Sequence, residues 1–144
     1  MKLKYKNYTV EILIEKYEFK DIRYLNKCDR EWLIVSVIYQ NKDHKIVKKD
    51  PALRVSELVE LREWFFGIYN KKFVSNLKFT ENELYFTYDN KNNVLVVELC
   101  FNLSLYDTKS TDDECCIIKI TPNQKFLQET IDELDKYIVN FPER

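Results

Sequence analysis

The chain has 144 residues, 45% of them hydrophobic and 33% charged, and its 23 basic and 24 acidic side chains leave a formal net charge of −1. That length suits one domain, expected over residues 1–144, burying its own core without metals or cross-links, and the composition excludes a disordered chain. No stretch approaches the roughly 18 apolar residues of a membrane span. The basic residues 1–7 lead into an alternating strand and not into the apolar core of a signal peptide. Balanced charge, with 18 lysines against five arginines, argues against a groove for phosphates. A cytoplasmic protein that touches neither membrane nor nucleic acid directly is expected.

In chain order, Tyr8, Val10, Ile12 and Ile14 fall on one face of a first strand, with Thr9, Glu11 and Glu15 on the other. A link over 17–30 follows, with Phe19, Ile22, Tyr24 and Leu25 as anchors. Residues 32–39 are apolar on both faces, the mark of a covered central strand. A polar turn at 40–44 leads to a short third strand at 45–49, which Asp50-Pro51 ends because proline cannot donate to a ladder. A helix then starts near Ser56 and carries a buried stripe of Leu58, Leu61, Phe65 and Ile68. Gly67, the single glycine, marks either its stop or a close contact.

Strands are expected at 77–79 and 84–88, joined to the next by the asparagine-rich turn 89–93. Asparagine tolerates the left-handed backbone such turns need. The sixth strand, from Leu95 to Leu105, precedes a polar loop at 106–114 and a last strand at 116–120. After Pro122, with Thr121 or Asn123 as cap, a second helix repeats Leu127, Ile131, Leu134, Ile138 and Phe141 at steps of four and three. The order β-β-β-α-β-β-β-β-α, with short turns, predicts an α+β fold: about seven strands in mainly antiparallel sheet with two packed helices.

The residues offer no catalytic centre. One glycine excludes a glycine-rich phosphate loop or a nucleophile elbow, and the lone His44 lies in a polar turn without a partner nucleophile. Cys28, Cys100, Cys115 and Cys116 lack paired Cys-x-x-Cys spacing, and adjacent Cys115 and Cys116 point to opposite faces of a strand. Four free thiols, no metal and no cofactor are expected. Trp32, Trp64, Phe65 and Phe101 read as core. Tyr5, Tyr17, Tyr39, Tyr69 and Tyr106, beside turns or ends, read as the exposed aromatics that interfaces use.

Four motifs carry a family resemblance: Asp50-Pro51-Ala52-Leu53, Glu57-Leu58 with Trp64, Phe79-Thr80-Glu81-Asn82, and the closing Phe141-Pro142-Glu143-Arg144. In this order, across nearly the whole chain, they resemble the WapI-like immunity proteins of bacterial polymorphic toxin systems. The resemblance implies a non-enzymatic protein, monomer or weak dimer, that binds and occludes the toxic C-terminal domain of a cognate toxin, often a nuclease. A binding or scaffold domain with another partner and an uncharacterised small enzyme are the competing readings. The turn at 41–44 and the loop at 106–114 depart from the family pattern, and partner choice varies in loops. That loop concentrates Asp107, Asp112, Asp113 and Glu114 around the single cation Lys109. These four carboxylates are the expected partner-binding residues, placed to meet a cationic nuclease groove.

Overall fold

Alternating strands with one apolar face need a partner layer, and the two helical stripes supply it. The computed structural model describes residues 1–106 and 115–144. Among them β1 (Lys2–Tyr5), β2 (Tyr8–Tyr17), β3 (Trp32–Gln40) and β4 (Lys45–Arg54) form one sheet in the order β1-β2-β3-β4. Helix α1 (Val55–Tyr69) follows directly. β5 (Leu84–Asp89), β6 (Val94–Leu99) and β7 (Cys116–Ile120) make a second sheet in chain order, and α2 (Gln124–Asn140) comes last. Every strand pairing is antiparallel.

Seven strands and two helices make the α+β fold that the sequence predicts, and individual elements differ from their expected bounds. β1 is added ahead of the first expected strand, through a tight turn in which Lys6 takes a φ of 53°. Residues 77–79 form no strand, and Leu77 makes only an isolated bridge to Phe86. β4 runs past Asp50-Pro51 to Arg54. It can do so because it is an edge strand, where a missing N–H breaks no ladder bond, and the register shifts opposite, between Leu33 and Ile34. β6 stops at Leu99 because the chain turns at Phe101 into a short 3-10 helix.

The inner faces of both sheets meet in one cluster of buried residues, including Val10, Ile12, Ile14, Leu33, Val35, Leu95, Val97 and Ile118. α1 buries the expected Leu58, Leu61, Phe65 and Ile68, and Trp64 as well. Trp64 and Phe65 meet Phe86 of β5 at centroid distances of 6.1 and 5.8 Å, and the Trp64 indole donates to Ser75 O at 2.6 Å. Gly67 is not a helix stop: a Cβ there would stand 2.8 Å from Val74 Cγ1, so the glycine admits the returning chain. Asn123 caps α2 by accepting from Phe126 N at 2.8 Å. Leu127, Ile131 and Leu134 are buried, and Ile138 is half-buried. α2 lies along α1, with Arg62 Nε 2.8 Å from Asp135 Oδ1, and Leu134 closes a void of about 30 Å³ with Ile12, Ile14 and Val35.

The aromatic assignments need correction. Trp64 and Phe65 are core, but Phe101 is 41% exposed, whereas Tyr39, expected at the surface, is fully buried and donates to Leu103 O at 2.7 Å. Among the expected anchors of the 17–30 link, Tyr24 is 91% exposed.

Candidate functional site

The four carboxylates expected to bind a partner, Asp107, Asp112, Asp113 and Glu114, lie outside the described residues. What is described are the two points from which that segment springs. Tyr106 is tied to the β1–β2 turn: its hydroxyl is 2.7 Å from that of Tyr5 and accepts from Lys6 Nζ at 2.5 Å. The ammonium also stands 5.2 and 5.1 Å from the two ring centroids. Burial, then the bond to Tyr106, pushes the Tyr5 hydroxyl up to about 12, and the Tyr106 bond raises Lys6.

At the other end Cys115 is joined to Cys100 in a disulfide, which corrects the expectation of four free thiols. The register explains it. Leu99 pairs with Cys116, so the next pair outward brings Cys100 opposite Cys115, with Cα atoms 4.3 Å apart. Extending β6 to Leu105, as the sequence pattern suggests, hides this match. Cys28 and Cys116 are free. Buried Cys116 accepts from Leu105 N at 3.3 Å. Glu98, Cys100 and Cys115 bring their ligand atoms within 4.8 Å of one another, but the two sulfurs are bonded to each other and leave no thiolates for a metal.

Beside this anchor three distant segments bring two carboxyl groups onto one amide. Asp50 comes from β4, Glu83 from the residue before β5, and Asn102 from the 3-10 helix Phe101–Leu103. Asn102 Nδ2 donates at 3.2 Å to both Asp50 Oδ1 and Glu83 Oε1. Cys100 N donates to Glu83 O at 2.8 Å, which fixes the segment next to the disulfide. Glu83 is only 7% exposed. Burial above all, and then the Asp50 carboxyl, push Glu83 up to about 8. In front of Asp50 and Asn102 a cleft opens to about 420 Å³, walled by Val47, Phe101 and Tyr106 and rimmed by Lys48 and Lys49. Sequence reasoning missed this pair, since nothing in the spacing of residues 50, 83 and 102 signals that they meet.

Most of the motif residues are scaffolding. The Glu57 carboxylate accepts from Arg54 N at 2.8 Å, Thr80 N at 2.5 Å and Thr80 Oγ1 at 2.7 Å, so it caps α1 and holds the 79–82 turn. Phe141 meets Tyr17 edge-on at 5.4 Å, while Arg144 stacks on Tyr17 and donates to Phe19 O and Arg30 O. His44 lies in an exposed turn set by Asn41 Oδ1, which accepts from Asp43 N and His44 N. Among the described residues, no helix is long and apolar enough to cross a membrane.

The chain matches the family model described as "Immunity protein WapI-like family" over residues 2–142. No curated protein and no solved structure matches it.

Proposed function

The chain belongs to the WapI-like immunity protein family, and from that membership we propose that it binds and occludes the toxic C-terminal domain of a cognate bacterial toxin, a nuclease, without chemistry of its own. The observation that carries this reading is the family match over residues 2–142. The acidic segment with Asp107, Asp112, Asp113 and Glu114 is the proposed contact. A nuclease groove built for phosphate is cationic, and a carboxylate-rich segment imitates its substrate while speeding encounter. The hydroxyl contacts that hold Tyr106 to Tyr5 and Lys6 support the assignment, because a contact that starts from a fixed point loses less freedom on binding.

The protein acts in the cytoplasm, where its own nucleic acids need protection, as a single domain and as a monomer or weak dimer. That compartment keeps thiols reduced, so the Cys100–Cys115 link is the part of the structure it acts on.

Co-expression with the toxin domain encoded beside this gene tests the reading. Cells survive, and the two chains co-purify, if it is correct; a toxin that still kills and elutes alone refutes it. Changing Asp112, Asp113 and Glu114 together to lysine leaves the circular dichroism unchanged, slows association and reverses its salt dependence. Unchanged affinity and salt response in that variant would move the contact elsewhere on the surface.

A further inference from the structure

We propose that reduction of the Cys100–Cys115 bond opens a zinc site, in which the two thiolates and the Glu98 carboxylate hold one Zn²⁺ and water fills the fourth position. The site is built from β6, β7 and the residues at their ends, and it needs no toxin.

Three side chains converge there. Leu99 and Cys116, paired in register, are fully buried in the core. Alternation therefore turns Glu98, and Ile117 opposite it, to the outer face of the sheet. Cys100 keeps an extended backbone one residue past the end of β6, with φ −115° and ψ 169°, so its sulfur emerges on the Glu98 side, where Cys115 meets it. One ligand atom from each of Glu98, Cys100 and Cys115 lies within 4.8 Å of the other two. The frame is fixed, because Cys100 N donates to Glu83 O at 2.8 Å and Cys100 O accepts from Leu103 N at 3.0 Å. Among the described residues, the Glu98 side chain enters no hydrogen bond or ion pair, so its carboxylate is uncommitted. Ile117 beside it is 49% exposed, which leaves the face open to an ion from solvent.

Cys115 is half-buried and Cys100 is 2% exposed, so a small thiol of the glutathione class attacks at Cys115. A mixed disulfide forms on Cys115, and Cys100 leaves as a thiolate. A second small thiol then removes the first as their own disulfide. Two electrons and two protons have passed to the pair, and Zn²⁺ displaces both protons to the buffer. Zinc–sulfur bonds of about 2.3 Å at tetrahedral angles set the sulfurs about 3.8 Å apart. Side chains whose Cα atoms stand 4.3 Å apart reach that separation by rotation. Two thiolates select against calcium and magnesium, and the oxygen donor beside them suits zinc. The clasp between the end of β6 and the start of β7 therefore has two closed forms, one oxidised and one zinc-bound.

Cobalt(II), a coloured stand-in for zinc, tests the site in protein reduced with a phosphine and desalted without oxygen. The charge-transfer absorption of thiolate-bound cobalt and the strong visible bands of a tetrahedral site should rise to a single cobalt per chain and vanish when zinc displaces it. The oxidised protein should show neither. Glu98→Gln, which keeps both cysteines, should weaken zinc binding by about 10-fold or more. Cys115→Ser should lose the tetrahedral spectrum, and Cys28→Ser should keep it. Zinc should also restore the melting temperature that reduction lowers and leave the oxidised protein unmoved. Absent thiolate bands in the reduced protein, parent affinity in Glu98→Gln, or a spectrum that survives Cys115→Ser or depends on Cys28 overturns the proposal. So does a melting temperature that zinc raises equally in both redox states.

Discussion

Single side chains hold the joints between elements, and Glu57 is the clearest. One buried carboxylate satisfies the first turn of α1 and two donors of Thr80, so its loss leaves three donors without their acceptor. Glu57→Ala should cost about 2–4 kcal/mol, combining a lost cap with lost hydrogen bonds to a charged acceptor, which urea unfolding measures. A cost within error of zero would mean that the 79–82 turn is held by something else. Glu83 governs the pH dependence. Its carboxyl titrates at about 8 when folded against a reference of 4.5, so between those values the folded state holds a proton that the unfolded state has lost. The stabilisation is full below about pH 4.5 and disappears as pH rises through 8. Glu18, raised mainly by burial, adds in the same direction. Unfolding free energy should therefore fall from pH 5 to pH 8 in the parent protein and fall much less in Glu83→Gln. Parallel slopes would show that Glu83 ionises normally.

Among the elements, α2 is the one whose sequence says most. Its four-three repeat marks Leu127, Ile131 and Leu134, and these are the residues buried. Leu134→Ala should cost about 2–5 kcal/mol, because the side chain borders an existing void and its removal enlarges it. Parent-like stability would place that face in solvent. α1, β2 and the Asn93 turn, with its φ of 54°, were legible for the same reason: periodicity and turn chemistry are local. Where the outcome depends on a neighbour, the sequence falls silent. Pro51 ends a central strand but not an edge strand, and only the topology shows that β4 is an edge. Leu103 and Leu105 continue an alternation that the chain leaves at Phe101. Cys100 and Cys115 face each other only once the β6–β7 register is known. The meeting of Asp50, Glu83 and Asn102 was illegible altogether, since three segments must fold before it exists.

At the scale of the whole molecule, the disulfide and the order of the elements set the behaviour. Cys100–Cys115 closes a loop with a sequence separation of 15, worth about 3 kcal/mol by chain entropy. Reductant should therefore lower the melting temperature by roughly 10 °C, and a Cys100→Ser, Cys115→Ser variant should match the reduced protein. A melt insensitive to reductant would mean that the pair stays open in solution. The first sheet is a meander in which each strand pairs with its sequence neighbour, so β1 to β4 can assemble while the rest is still being made. The inner face that they present, with Val10, Ile12, Ile14 and Val35, is closed by α2, which follows all seven described strands in the chain. Every nascent chain therefore passes through an interval, set by ribosome speed, in which that face is open to chaperones and to its neighbours on the polysome. A chain cut short before α2 keeps its meander and leaves that face bare, a surface prone to associate with whatever apolar partner comes first.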